Sequence, residues 1–445
     1  MRSSSILKDR YDLPLSTSSQ LAADSYIEGL DLLLSNNYGG LDLLQSALDV
    51  DQEFSLAHAA MATSFMFRSE IAKAETSIAL AKKFAKKVTS RELGHINAIH
   101  AFVKKPGPDA KDLIQEHVKE FPRDMLLVRI ANRLFIMGCY GSGVHNAADA
   151  EFEWMKGLAR SYGNDWAFLG MYAFSYNEKG FLDDALEIAQ RSLDIYPRNS
   201  MASHAVAHVF FERGDSIGGL EFLDPWMVSY DKRAPFYVHL SWHQALFEMA
   251  SGNVTRAHDL YRTALRPSVL GKEIEGLVDS ASLLWRIQLY SGTPPPFNWS
   301  EVRDQALPAA DVPGPAFRDA HAALAFAGSG DKDAYDRLVA GLHELSDQRS
   351  SNLTNDVTLP LVLGIGAFAE GHYAKAVDMM EPAYWQLVRL GGSNAQREVF
   401  EDTLIQAYIK AERFELAGDL LRRRLSRRAS HRDENWLTST TNPKD

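Results

Sequence analysis

A degenerate internal repeat constrains the fold of this chain more than any other feature of its sequence. Several predicted turns lie between segments whose apolar residues recur with helical spacing. At these turns a glycine is followed five residues later by an alanine. The pairs are Gly180/Ala185, Gly252/Ala257 and Gly371/Ala376, with Glu412/Ala417 as a variant that lacks the glycine. Glycine permits a tight turn between helices, and alanine lets the second helix approach the first closely. The pattern therefore predicts stacked helical hairpins.

The spacing of the units indicates the class of repeat. In the clearest unit, the residues at tetratricopeptide consensus offsets are Tyr176, Gly180, Ala185, Leu193 and Pro197. Gly180 and Gly214 are 34 residues apart, whereas Gly214 and Gly252 are 38 apart, so the array is distorted. We predict an all-α fold, a tetratricopeptide-like α-α superhelix (solenoid) of roughly ten to thirteen helix pairs or part-pairs with a concave groove.

Two segments interrupt the repeats. Prolines are frequent between Ser291 and Pro315, which predicts a connector that cannot continue a helix. Beyond Leu421 the chain becomes basic and polar, which predicts a helix end followed by a flexible tail. The predicted organisation is an N-terminal arm (1–20), main helical repeats (21–292), a Pro-rich connector (293–315), C-terminal helical repeats (316–428) and a flexible polar tail (429–445).

Composition bears on compartment and partners. The formal net charge of -11 argues against a general nucleic-acid-binding surface, because such surfaces carry excess Lys and Arg. Cys139 is the only cysteine, so no intramolecular disulfide can form. The amino terminus has no apolar run that could serve as the core of a signal peptide. The apolar stretch from Leu359 to Ala369 is about half the length of a spanning helix. We expect a cytoplasmic protein without nucleic-acid or membrane partners.

Common enzyme motifs are absent from the sequence, and two histidine pairs on predicted helices are the strongest candidates for a functional site. The sequence contains no HExxH motif, no Walker A loop and no cysteine cluster. His204 and His208 form one i,i+4 pair, and His239 and His243 form another. Residues four apart share one face of a helix, and Glu212 continues the face of His208. The neighbouring residues are mostly apolar, which predicts that these helices are buried.

Buried imidazoles must find polar partners, so all four histidines and Glu212 are expected to converge on one pocket. Three interpretations stay open: a hydrogen-bond network that ties helices together, a small-molecule or catalytic pocket, and a transition-metal site. Tyr172 and Glu178, on the helix before Gly180, would lie near the same hairpin and add hydrogen-bonding groups. Alternatively, they are packing residues of the repeat consensus.

The chain also resembles a known family along most of its length, from the Leu13 region to about Arg424. The resemblance is carried in order by the segments 172–178, 202–208, 239–247, 278–286 and 391–400. These motifs are similar to those of the tetratricopeptide repeat protein 38 family. That resemblance implies a soluble helical-repeat protein, and it implies no particular reaction.

Several polar and aromatic positions match the motifs of that family. They are His204, His208, His239, Trp242, His243, Asp279, Trp285, Gln396 and Arg397. One departure is Asn394, which stands where the family motif leads us to expect a histidine. Any function that needs an imidazole at that position is therefore in doubt. A second departure, Phe211-Glu212, still keeps the acid on the face of His208.

Two hypotheses about function follow. The first is a binding protein that holds a peptide or small-molecule ligand in the concave groove or in the His/Glu pocket. The second is an enzyme, hydrolytic or metal-assisted, with His208 or His243 as the base and with Arg397 or Trp242 in contact with the substrate. The sequence leaves the cofactor unspecified, and formation of a homo-oligomer stays open.

Overall fold

The computed structural model describes residues 6–272, 274–348 and 353–441. Within those ranges the chain forms 25 α-helices, and the only strand-like pairing is an isolated bridge between Lys8 and Pro14. The predicted all-α class is therefore confirmed. The chain divides into two compact units, of which the first comprises Met1–Ile136, Gly141–Ala205 and Tyr230–Phe236 and the second comprises Met137–Tyr140, Val206–Ser229 and Tyr237–Asp445.

Eleven helices precede the one that carries the first histidine pair. They are α1 (Gln20–Leu34), α2 (Gly40–Val50), α3 (Ser55–Phe67), α4 (Ile71–Phe84), α5 (Ser90–Lys104), α6 (Pro108–Glu120), α7 (Met125–Ile136), α8 (Gly138–Ser142), α9 (Ala147–Tyr162), α10 (Trp166–Glu178) and α11 (Leu182–Ile195). The next helix, α12 (Ser200–Arg213), begins in the first unit and is continuous through Val206, where the second unit starts.

The second unit holds the remaining helices. They are α13 (Ser216–Val228), α14 (Tyr237–Ala250), α15 (Val254–Leu260), α16 (Arg266–Leu270), α17 (Ile274–Ser291), α18 (Trp299–Asp311), α19 (Ala316–Ser329), α20 (Lys332–Gln348), α21 (Leu359–Ala369), α22 (Tyr373–Tyr384), α23 (Asn394–Lys410), α24 (Phe414–Leu425) and α25 (His431–Thr441). Two π-helical turns, Tyr261–Leu265 and Thr354–Thr358, lead into α16 and α21.

The helix turns lie where the repeated glycines predict them. Gly180, Gly252 and Gly371 adopt φ values of 80–81°, and Gly214 adopts 70°. This left-handed conformation ends a helix and is easily reached only without a Cβ atom. Glu412, the variant position, adopts the same region with φ 59°. Five residues after these turns, except the one at Gly214, lie Ala185, Ala257, Ala376 and Ala417, which are fully buried. Helix α10 packs on α11, α14 on α15 and α21 on α22.

Ala185 provides a direct test of this hairpin packing. The residue is 0% exposed, so the Ala185→Leu variant must force α11 away from its neighbours. We expect a loss of about 1–3 kcal/mol in the free energy of unfolding, measured by urea denaturation. Ala72→Leu, at an exposed position of α4, is the control and should change stability little. An unchanged midpoint for Ala185→Leu would contradict the hairpin assignment.

The prediction of a helix-free connector was wrong for part of its length. Helix α18 occupies Trp299–Asp311, inside the Pro-rich segment, and Asn298 caps its start by accepting a hydrogen bond from the Ser300 amide. Pro308 lies in the last turn of α18, where a missing amide hydrogen disrupts little of the helix that precedes it. Proline content alone therefore did not exclude a helix there.

The prediction of a flexible tail was also wrong for the described residues. Helix α25 begins at His431, and Asp433 is 0% exposed. Asp433 accepts hydrogen bonds from the buried Arg424 at 2.6 Å, and the Trp436 ring lies edge-on to Tyr290. The segment is therefore anchored to the second unit by a buried ion pair, while other polar residues of α25, among them His431, Glu434 and Asn435, are exposed to solvent.

Candidate functional site

The histidines of the site are carried by α12 and α14. His208 and His243 are fully buried, and His239 is 6% exposed. The residues around the histidines on both helices are mostly apolar and buried. Spacing of four residues places His239 and His243 one above the other on α14.

The rings of these histidines contact one another. The ring centroids of His208 and His243 are 4.5 Å apart, and those of His239 and His243 are 5.0 Å apart, both edge to face. Each of these three histidines, all of the second unit, offers one ring nitrogen, and these nitrogens lie within 4.8 Å of one another. His204, the other histidine predicted for the pocket, lies one turn before His208 on α12 but within the first unit.

Asp279 of α17 orients one of these rings. Nδ1 of His239 is 3.0 Å from Oδ2 of Asp279, and both side chains are buried. A carboxylate can only accept a hydrogen bond when ionised, so Nδ1 of His239 carries the proton. The second nitrogen, Nε2, carries the lone pair in this tautomer. A carboxylate behind a histidine is the usual support for a metal ligand.

Burial keeps two of the histidines neutral. It holds the pKa of His208 well below its ordinary value, and the charges of His239 and Arg397 act in the same direction. Burial likewise lowers the pKa of His243, assisted by His208, His239 and Arg286. Neutral imidazole is the form that binds a metal ion, and buried imidazolium without an anion would be costly. The site is therefore rich in neutral nitrogen donors near pH 7.

Trp242 and Arg286 border the histidine group. The Trp242 ring stacks on His239 with centroids 5.4 Å apart and an interplanar angle of 14°, and it meets His243 edge-on at 4.9 Å. The Cζ atom of Arg286 lies 5.6 Å from the Trp242 ring. Arg286 was not selected from the sequence, although it follows Asp279 by seven residues on α17 and therefore shares its helical face.

The predicted residues of the terminal motif shape a turn near the site. Arg397 donates hydrogen bonds to the carbonyl oxygens of Gly391 and Gly392 and, at 2.6 Å, to Oδ1 of Asn394. Gln396 forms a capping box with Ser393 at the start of α23. The amide of Asn394 thus supports Arg397, at the position where the family resemblance led us to expect an imidazole.

Four other predicted residues lie outside the histidine group. The carboxylate of Glu212 is not one of the grouped ligand atoms. Burial lowers the pKa of Arg428, but the negative charges of Glu398 and Glu212 raise it, and the net effect is a raised pKa. Trp285 donates a hydrogen bond to Thr403 at 2.9 Å within the core. Tyr172 and Glu178 belong to α10 of the first unit, where the hydroxyls of Tyr172 and Tyr176 are 3.2 Å apart.

Comparison with known proteins gives structural neighbours at low identity. No protein-family model matches the chain. The human IFIT1 dimer with m7Gppp-AAAA shares 10% identity over 98% of this chain and 96% of that chain, with a TM-score of 0.38. An IFIT1 monomeric mutant with Gppp-AAAA gives 11% identity, 98% coverage of both chains and the same TM-score. Yeast Tom70 gives 13% identity over 94% and 86% of the two chains, with a TM-score of 0.34.

The predicted fold class is confirmed by the all-α element order and by the paired helical hairpins themselves. The predicted absence of a nucleic-acid partner was wrong as an exclusion. The IFIT1 structures contain Gppp-AAAA or m7Gppp-AAAA, so the exclusion drawn from net charge is withdrawn. Within residues 6–272, 274–348 and 353–441, no helix is both long enough and apolar enough to cross a bilayer.

Proposed function

We propose that this helical-repeat protein binds a divalent transition-metal ion of the zinc class through His208, His239 and His243. The observation that carries the proposal is the placement of three buried ring nitrogens of the second unit within 4.8 Å of one another. Nitrogens around a tetrahedral Zn²⁺ are roughly 3.4 Å apart, because each Zn–N bond is about 2.1 Å long. Small ring rotations therefore bring the three histidines to coordination distance and leave the fourth position of the ion open.

The chemistry of the donors favours this class of metal. An all-imidazole set suits zinc, copper or nickel, whereas magnesium and calcium prefer oxygen ligands. Asp279 supplies the carboxylate that holds His239 in one tautomer, as is common behind metal-bound histidines. If a metal binds the three nitrogens, His208 and His243 act as ligands rather than as the general bases considered from the sequence.

A small ligand fits this site better than a peptide. His208 and His243 are 0% exposed, and Trp242 and Arg286 are 1% exposed or less, so no extended chain can lie along them. Membership in the tetratricopeptide repeat protein 38 family is part of this proposal. The residues that match its motifs include the histidines of the site, Trp242 and Asp279.

Metal analysis of the purified protein tests the proposal. After expression without chelators and extensive dialysis, we expect about one zinc-class ion per chain by elemental analysis, since three histidines hold one tetrahedral ion with its fourth position open. His208→Ala should remove that metal while the protein stays folded. His343→Ala, at an exposed position of α20, is the matched control and should retain the metal.

The competing interpretation is a histidine network that only ties helices together. In that case, the wild-type protein would hold no metal even after incubation with Zn²⁺ or Co²⁺, and His208→Ala would cost about 1–3 kcal/mol of stability for each partner left unsatisfied. Cobalt-loaded protein provides a second observation, because tetrahedral nitrogen coordination gives an intense visible absorption that the empty network cannot give. Absence of both metal and absorption would refute the proposal.

A further inference from the structure

A loop near the amino end of the first unit holds its own shape. In this loop, residues 7–15, the amide of the last residue donates a hydrogen bond to the carbonyl oxygen of the first at 2.8 Å. The Asp9 carboxylate accepts hydrogen bonds from the amides of Tyr11 and Leu13 at 2.8 and 2.9 Å, and an aspartate stabilises a turn in this way. We call this segment the Arg-Tyr loop, for Arg10 and Tyr11 at its tip. Its shape does not depend on the surface that it contacts.

Arg10 is the charged anchor of the Arg-Tyr loop. Its Nε atom is 2.6 Å from Oδ1 of Asp31 on α1, and its Nη1 atom donates a hydrogen bond to the carboxylate of Asp165, which precedes α10. Its Cζ atom lies 4.7 Å from the centroid of the Trp166 ring. Carboxylates pair with the charge of a guanidinium, and an aromatic ring packs on its flat face. The first unit thus contains a receptor site for an arginine side chain.

Tyr11 and the end of the loop add further contacts. Tyr11 is buried, and its ring lies edge-on to Tyr162 with the centroids 6.1 Å apart. Leu15 is buried as well, and the amide of Ser16 donates a hydrogen bond to Oε1 of Glu92 at 2.8 Å. Arginine and tyrosine are among the residues that most often dominate the binding energy between proteins. The contacts of the loop are therefore of the kind found between a protein and its partner.

The surface that receives the loop is held in place by the helices themselves. Asp165 caps α10, because its Oδ1 accepts a hydrogen bond from a backbone amide of the first turn at 2.9 Å. Glu92 forms a capping box with Thr89 at the start of α5. Trp166 also stacks on Tyr196, with the ring centroids 4.3 Å apart. These contacts do not involve the loop, so the receiving groups keep their positions when the loop leaves.

We propose that this surface of the first unit binds a turn-forming loop of a partner protein with arginine and tyrosine at its tip. The chain's own Arg-Tyr loop occupies the surface until the partner displaces it. Complementarity argues for this occupant, since Asp31 and Asp165 together require a cation that reaches both, and Trp166 requires a flat one. The proposal goes beyond the metal function and does not depend on it, because the three histidine ligands belong to the second unit.

Fluorescence anisotropy with a labelled peptide of the sequence of residues 6–16 tests the proposal. The peptide should bind the full-length Arg10→Ala/Tyr11→Ala variant, in which the resident loop has lost both anchors while the receiving surface is unchanged. Wild-type protein should bind it at least about tenfold more weakly, because its resident loop competes at an effective concentration in the millimolar range. That concentration follows from the short tether, residues 16–19, between the loop and α1.

Variants of the peptide test the arginine anchor. The Arg10→Ala peptide should show no measurable binding to the same protein, because nothing then pairs with the two carboxylates. The Arg10→Lys peptide should bind at least about tenfold more weakly than the native sequence, because an ammonium lacks the planar fork that contacts two carboxylates and an indole together. A surface that selected only for positive charge would bind the Arg10→Lys and native peptides equally.

Variants of the receiving surface provide the matched pair. Asp165→Asn, added to the Arg10→Ala/Tyr11→Ala variant, keeps a side chain that caps α10 but removes the negative charge. We expect it to weaken binding of the native peptide at least about tenfold, because the guanidinium loses one ionic partner. Asp24→Asn removes the charge of an exposed aspartate on α1 and should leave the affinity unchanged.

Cross-linking provides a second measurement on wild-type protein, which needs no variant to fold. Oδ2 of Asp12 is 3.6 Å from Nη1 of Arg123. A photo-reactive group at the Asp12 position of the peptide should therefore attach to the first unit near Arg123 when the peptide is present in large excess. The same peptide with Arg10→Ala should not attach there.

Three results would overturn the proposal. The first is a folded Arg10→Ala/Tyr11→Ala variant that does not bind the native peptide or binds the Arg10→Ala peptide equally well. The second is the absence of any cross-link in the first unit of wild-type protein. The third is a wild-type dimer that forms with rising concentration and is lost in the Arg10→Ala/Tyr11→Ala variant, since that result assigns the surface to the loop of a second copy rather than to a partner protein.

Discussion

Asp433→Ala is expected to destabilise the second unit by about 3–5 kcal/mol, since it leaves a buried cation without one of its partners. Arg424 is 1% exposed and donates to both carboxylate oxygens of Asp433 at 2.6 Å. Its remaining partner at comparable distance is Asp402, at 2.7 Å. For a unit of this size the loss corresponds to roughly 6–20 °C in melting temperature, measured by calorimetry.

An exposed ion pair on the preceding helix provides the control. Arg422 and Asp419 of α24 are 2.7 Å apart, but their side chains are 54% and 64% exposed. Asp419→Ala should therefore cost at most about 1 kcal/mol, because solvent screens such pairs. Equal effects of the two substitutions would show that α25 does not dock, and they would restore the flexible tail predicted from composition.

Zinc is expected to raise the melting temperature of the metal-free protein substantially. A ligand that binds only the folded state stabilises it by about 4 kcal/mol at a thousandfold excess over its dissociation constant. That corresponds to roughly 8–16 °C for the second unit. Mg²⁺ should have little effect because it prefers oxygen ligands, and His208→Ala should abolish the effect of zinc. A zinc-independent melting temperature in wild-type protein would contradict the metal site.

The pH dependence of the zinc effect follows from the lowered pKa values of His208 and His243. Zinc must displace protons from its ligands, and these two imidazoles stay neutral below the ordinary histidine value of about 6.5. The stabilisation by zinc should therefore persist at pH 6.0 and decline only at lower pH. Calorimetric scans with and without zinc at pH 7.5, 6.0 and 5.0 measure it.

The metal-free protein should itself become less stable in acid. Below pH 6.5 the unfolded chain protonates these histidines, whereas the folded chain keeps them neutral, so unfolding takes up protons. Each histidine with a lowered pKa then removes about 1.4 kcal/mol of stability per pH unit, until the pH reaches its value in the folded state. This contribution is fully present above pH 6.5.

The sequence by itself determined the repeat and its turns. Gly180, Gly252 and Gly371 mark left-handed turns because a local conformation near φ 80° depends on the residue at that position. The buried alanine five residues later follows from helix geometry. Both features are local, so they could be predicted without knowing which helices meet.

The sequence also determined which histidines share a helical face. The i,i+4 spacing of His239 and His243 fixes their alignment on α14, and the apolar residues around them indicate burial. The partner of His239 could not be predicted in the same way, although Asp279 was selected through the family resemblance. It is 40 residues away, and only the packing of α17 brings its carboxylate to 3.0 Å from Nδ1.

Tertiary structure decided the roles of the remaining charged residues. Glu212 has the correct spacing to lie below His208, yet it lies near Arg428 because the segment after α24 returns to this part of the second unit. The polar composition of the last residues predicted a flexible tail. The sequence does not reveal that Asp402 and Asp433 both pair with the buried Arg424. Ion pairs between residues far apart in the sequence form only when the fold brings them together. A charged side chain can be buried only where the fold also supplies an oppositely charged partner.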